Sequence, residues 1–143
     1  FGKGLRPDAT LAARWYRAAA GSGHARAQVF LGRCYQAGKG VARDSAEALS
    51  WYRRAAGQGD LEGSLNAGLC LLWGEGSAKD PEGGFALLAR AADGGMAEAA
   101  ALAGDCCLRG VGTPPDVGRG RSYLAAAAAA GGGAPAAAEW SSS

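Results

Sequence analysis

One histidine and four cysteines are the side chains of this 143-residue sequence with the most chemistry in them. His24 could act as a general base or a metal ligand. A catalytic imidazole needs a positioned partner, and no motif supplies one. There is no Gly-x-Ser-x-Gly, no P-loop and no His-Glu-x-x-His. His24 shares its phase with Asp60 and Met96 and reads as a helix-start residue. Cys34, Cys70 and Cys106 recur every 36 residues. Neighbouring packed helices lie ~8–10 Å apart, whereas a disulfide brings its Cα atoms within ~7 Å. A ladder of bonds between successive cysteines is therefore disfavoured. Cys106 and Cys107 are adjacent, a poor geometry for a bond or for a metal without histidine support. Each cysteine reads as a small buried apolar residue. The recurring Gly-x-Gly pairs follow helices rather than strands, so they are no dinucleotide fingerprint. No catalytic residue, cofactor or metal is expected.

Composition says which elements must carry these residues. The sequence has 35 Ala and 25 Gly against four Val, two Thr and no Ile. So few β-branched residues cannot build an ordinary sheet, and an all-α protein remains. No apolar run reaches the ~18 residues of a membrane span. Fifteen basic and 13 acidic residues give +2, too balanced to imply nucleic acid. Residues 1–54 carry ten Lys/Arg and three Asp/Glu (10 − 3 = +7); residues 55–143 carry five and ten (5 − 10 = −5). The two halves either orient a partner or are solvated helix faces. Residues 132–143 read as a Gly/Ala/Ser-rich tail or linker.

The chain repeats at a period of 36. Trp15-Tyr16 recurs as Trp51-Tyr52, Leu87-Leu88 and Tyr123-Leu124. Gly38 and Gly40 recur as Gly74 and Gly76, then Gly110 and Gly112. Asp8, Asp44, Asp80 and Asp116 share one phase, and Gly32, Gly68 and Gly104 another. Each unit reads as two helices. In the best-formed copy the first runs from about Ala25 to Ala37, with Ala27, Leu31, Cys34 and Tyr35 on one face. Gly38 ends it. Asp44 caps the second helix, Ser45 to about Ala56, whose stripe is Ala48, Trp51, Tyr52 and Ala55. Such a pair cannot bury its apolar face alone, but stacked copies can, as an α-solenoid. The glycine inside each first helix predicts a close helix crossing.

Leu31-Gly32-x-x-Tyr35-x-x-Gly38-x-Gly40-Val41-x-x-Asp44, then Ala48-x-x-Trp51-Tyr52-x-x-Ala55-Ala56-x-x-Gly59, resembles the Sel-1-like repeat, a relative of the tetratricopeptide repeat. The likeness spans residues 1–131: a half unit (1–23) and units 24–59, 60–95 and 96–131. Ala67, Ala103, Leu71, Cys107, Ser77, Thr113 and Leu87 depart from the pattern, and looser packing is expected in the later units. The half unit predicts further repeats upstream and apolar surface around Trp15 and Tyr16. The resemblance implies a right-handed superhelix of antiparallel helix pairs with first helices lining a concave face. It also implies an adaptor or scaffold role, as in ubiquitin-ligase, cell-wall and bacterial host-interaction complexes. Cysteine-rich relatives carry two bonded cysteines per unit and include β-lactam binders. This chain lacks the second cysteine, which leaves a β-lactam-acting enzyme remote. Free thiols lean towards a reducing, cytoplasmic compartment, with an ER-associated setting open.

A partner surface is expected where exposed phases of the first helices depart from the repeat. Those phases are taken as Arg33/Leu69/Asp105, Gln36/Leu72/Leu108 and Ala37/Trp73/Arg109. Leu69, Leu72 and Trp73 then form an apolar centre of hot-spot composition. Arg26 and Arg33 flank it on one side, and Glu62, Glu98 and Asp105 on the other. The alternative is that Trp73 folds onto the Gly-x-Gly loop or the neighbouring helix. Two functions follow: a non-catalytic adaptor binding a protein partner on the concave face, or a spacer inside a larger enzyme or receptor. Neither involves nucleic acid or membrane insertion.

Overall fold

The structure is a computed structural model that describes residues 8–131. The expected tail at 132–143 lies outside the described residues. Seven 13-residue helices fill the described chain, and no strand occurs among them. They are α1 (Ala9–Gly21), α2 (Ala25–Ala37), α3 (Ser45–Gly57), α4 (Leu61–Trp73), α5 (Pro81–Asp93), α6 (Ala97–Arg109) and α7 (Val117–Ala129). α2, α4 and α6 are the first helices of successive units; α1, α3, α5 and α7 are second helices. Each packs on the helix before it and the helix after it. This is the α-solenoid that the repeat demands.

The period is written into the helix ends. Asp44 Oδ1 accepts from the amides of Ala46 and Glu47 at 3.1 Å each. Asp8, Asp80 and Asp116 cap α1, α5 and α7 in the same way. Each such cap satisfies a donor that the helix itself cannot. In the other phase Asp60 caps α4, accepting from Gly63 at 2.8 Å, whereas His24 and Met96 make no side-chain cap bond. Gly38, Gly74 and Gly110 end the first helices in the left-handed conformation, with φ of 73°, 74° and 72°. The second glycine of each pair is required by space as well. A β-carbon on Gly40, Gly76 or Gly112 would strike the backbone carbonyl of Ala9, Ser45 or Pro81.

Where the helices of one unit cross, the interior glycines meet them. Gly32 lies against Tyr52, Gly68 against Gly84 and Leu88, and Gly104 against Gly120 and Leu124. The expectation of looser packing in the later units is not met. Second helices α5 and α7 replace Ala48 by Gly84 and Gly120, so backbone approaches backbone at the crossing. Leu71 and Cys107, at the phase of half-buried Tyr35, are both buried. The largest continuous cluster joins Leu65, Leu72, Phe85, Leu88, Leu102 and Cys106, all in the later units. Lost side-chain volume is offset by closer helices, which preserves density.

Candidate functional site

The first helices hold every residue singled out as a candidate partner contact, and the structure sorts those residues into three groups. Arg26 and Arg33 are exposed on α2 but already engaged. Arg26 Nη1 donates to Asp60 Oδ2 at 3.2 Å and Nη2 to Glu62 Oε1 at 2.8 Å. Arg33 Nη2 also pairs with Glu62. Both guanidinium groups lie over the ring of Phe30, at 5.3 and 5.6 Å from its centroid. The flanking charges therefore close on each other across a unit boundary. Asp105, at the other flank, pairs with Arg109 at 3.3 Å. Phe30 went unremarked in the sequence, although it occupies the phase of Asn66 and Leu102.

In the phase Gln36/Leu72/Leu108 the expectation of exposure is corrected for Leu72, whereas Leu108 is exposed as expected. Leu72 is 5% exposed and belongs to the core. Gln36 receives the Tyr52 hydroxyl at 2.7 Å and donates to Glu75 Oε1 at 3.1 Å. Leu108 is 40% exposed, yet its side chain lies against Gly120. The cause is helical geometry. Position 36 stands four residues after Gly32, so it shares the face that meets the paired second helix. The glycine that marks the crossing also marked this phase as facing it.

Leu69 and Trp73 form the third group. Both are half-buried and pack against the later-unit core, and the indole Nε1 of Trp73 is itself buried. Trp73 is thus folded down rather than projecting. What remains open on the first helices is a shallow row: Phe30 and Arg33, then Leu69 and the edge of Trp73, then Asp105 and Leu108.

The four thiols are free. Burial pushes Cys70 up to about 11 and Cys106 to about 12. Cys34 and Cys107 are raised for the same reason. Among the described residues no three His, Cys, Asp or Glu side chains converge as a metal site would require. No helix of the described residues is long and apolar enough to cross a membrane.

The profile of the Sel1 repeat matches residues 1–24, 25–60, 62–96 and 97–132. The chain belongs to the Sel1 repeat family. Two solved structures agree. One is a protective antigen present in uropathogenic Escherichia coli strains that displays an SLR fold. It is 31% identical, with a TM-score of 0.86 over 91% of this chain and 28% of that one. The other is a Sel1 repeat protein from Oxalobacter formigenes. It is 33% identical, with a TM-score of 0.82 over 90% of this chain and 53% of that one. This Sel1 chain therefore spans about a quarter and about half of those two lengths. No curated protein matches it. Sel1 repeats typically serve as interaction scaffolds, and this chain shares that repeat throughout its described length.

Proposed function

We propose that this Sel1 chain is a non-catalytic scaffold that binds a protein partner on the face formed by α2, α4 and α6. The observation that carries the reading is the contrast between frame and face. The first-helix glycines at the helix crossings, Gly32, Gly68 and Gly104, recur from unit to unit. Positions 33, 69 and 105, one per first helix, change from Arg to Leu to Asp. The open row combines a cation-flanked aromatic, Phe30, with the half-buried Leu69 and Trp73. Such a mixture of aromatic and arginine side chains is the composition of interaction hot spots. No side chain on this face is arranged as a nucleophile and base, which favours a binding role over a catalytic one.

A second reading, a spacer within a larger protein, draws on the Arg26–Asp60, Arg26–Glu62 and Arg33–Glu62 pairs. They neutralise the flanking charges within the solenoid and leave fewer of them for a partner. One experiment separates the readings. The chain serves as bait in a lysate pull-down, beside Leu69→Arg and Trp73→Ala variants whose helicity is checked by circular dichroism. The scaffold reading expects a protein retained by the wild type and lost from both folded variants. Identical retention by all three baits removes Leu69 and Trp73 from the binding surface, and no protein retained by any of them makes the chain a spacer. Leu72→Asp is unsuitable, because Leu72 lies in the core.

A further inference from the structure

The positive charge that the solenoid does not neutralise lies away from the first-helix face. A cleft of about 490 Å³ opens between α1 and the α2–α3 connection. Arg14 and Arg17 of α1 line one wall, and Tyr35, Gly40, Val41 and Arg43 face them. Arg14 and Arg17 are three residues apart, so their side chains leave the same face of α1. Arg17 Nη2 donates to the Tyr35 hydroxyl at 2.6 Å, which fixes one guanidinium at the cleft. Neither Arg14 nor Arg17 makes an ion pair with a carboxylate among the described residues. Among the described residues Arg43 pairs with Glu75 at 3.9 Å.

We propose that this cleft binds the carboxylate side chains of an acidic peptide segment of a partner protein, with Arg14 and Arg17 as the receiving pair. Two guanidinium groups on one helix face can take a carboxylate through parallel charge-assisted hydrogen bonds. Two acidic residues, Asp44 and Glu47, also line the cleft. Asp44 is occupied in capping α3. Glu47 offers an acceptor beside the arginines. A peptide matches this mixed lining, because its carboxylates go to arginine and its backbone amides to Glu47. A phosphate backbone has no N–H donor for Glu47 and is repelled by it. The cleft also repeats. One unit on, Ala46, Leu49, Ser50, Arg53, Arg54, Gly76 and Ser77 line a second hollow of about 460 Å³. Arg53 stands there at the phase of Arg17 and makes no ion pair among the described residues. In the next unit both arginine phases hold alanine, Ala86 and Ala89, so the basic path covers two units. This path accounts for five of the ten basic residues in the +7 half, namely Arg14, Arg17, Arg43, Arg53 and Arg54.

The test is fluorescence anisotropy at low salt, with the full chain and a labelled octapeptide of alternating Glu and Ser. A Gln/Ser octapeptide is the control. The wild type is expected to bind the acidic peptide saturably and the control weakly or not at all. Arg14→Gln/Arg17→Gln weakens binding by about tenfold or more, with its thermal transition unchanged. Arg121→Gln, an exposed arginine of α7, leaves it unaltered. Trp73→Ala also leaves it unaltered, which separates this cleft from the first-helix face. The proposal is overturned by no saturable binding up to about 1 mM peptide, or by equal affinity for the Gln/Ser peptide. It is equally overturned if the double variant binds like the wild type. Tighter binding of oligothymidylate or phosphatidylserine vesicles through the same arginines replaces the peptide by a general polyanion.

Discussion

Gly32 of α2 lies directly against the ring of Tyr52 of α3: a β-carbon on Gly32 would stand 2.6 Å from Tyr52 Cε1 and 2.8 Å from Cδ1. Tyr52 is fully buried, and its hydroxyl is held by Gln36. The ring therefore has no room to retreat and a hydrogen bond to lose if it does. This one contact sets how closely the two helices of the first full unit approach.

Gly32→Ala separates two opposing effects. Alanine favours a helix interior by about 1 kcal/mol over glycine. Overpacking in a closed core costs about 1–3 kcal/mol. With Tyr52 pinned, overpacking wins, and the urea midpoint is expected to fall. Gly57→Ala is the matched control, since its β-carbon would meet nothing within 4 Å. A midpoint raised by Gly32→Ala would show that Tyr52 yields freely.

The buried thiols predict an alkaline loss of stability. Cys70 and Cys106 are raised to about 11 and about 12 in the folded chain, chiefly by burial. In the unfolded chain a thiol ionises near its ordinary value of about 8.5. Above that pH the unfolded state sheds protons that the folded state keeps, so stability falls as pH rises. The fall begins near pH 9 and continues towards pH 11–12, at up to about 1.4 kcal/mol per pH unit for each thiol. Urea midpoints at pH 7, 9.5 and 10.5 measure it. Cys70→Ala/Cys106→Ala is expected to flatten the slope.

The pair between Arg26 and Glu62 links the first two full units, yet its energetic share is predicted to be small. Arg26 is 54% exposed at its side chain, and exposed pairs are screened by solvent and salt. A double-mutant cycle on Arg26→Ala and Glu62→Ala should give a coupling of under about 1 kcal/mol. It should shrink further at high salt. A coupling that survives high salt undiminished would mean that the pair is shielded from solvent ions.

Trp15 is 71% exposed and Leu11 50% exposed on the outer face of α1. The equivalent Trp51 is half-buried, with Arg54 stacked 4.5 Å from its ring centroid. A second copy of residues 24–44 fused ahead of α1 would offer a first helix to that face. It is expected to raise the denaturant midpoint, because each added interface stabilises a repeat array, and to blue-shift tryptophan emission. An unchanged midpoint would mean that α1 already behaves as a finished end.

The helix limits were legible because their punctuation is chemical and local. Left-handed Gly38 says where α2 ends and the Asp44 cap where α3 begins, and the structure repeats those limits to within a residue. The exposure of Trp15 was legible for a related reason, since among the described residues no first helix precedes α1 to cover its aromatic. Tyr16 differs, because it finds Phe30 at 5.3 Å. The first-helix face was only half legible. Gly32 already marked the inward side, and Gln36 and Leu72 follow from it by one helical turn. The engagement of Arg26 and Arg33 by Asp60 and Glu62 was not legible. It depends on the offset between α2 and α4, and no residue type announces that offset. Arg17 and Tyr35 meet across two helices for the same reason.

One part of each joint between units is made against backbone. Gly40, Gly76 and Gly112 each sit under a main-chain carbonyl, and what they touch there does not depend on which side chain that carbonyl's residue bears. At these three contacts a unit needs no matched side chain in its neighbour, unlike the Arg26–Glu62 and Arg33–Glu62 pairs. Unequal crossing-over between in-phase copies of the gene would lengthen or shorten the array by whole multiples of 36 codons and leave these glycine–carbonyl contacts intact. The reach of such a protein can thus change in a single recombination event, while the residues on its open face change one at a time.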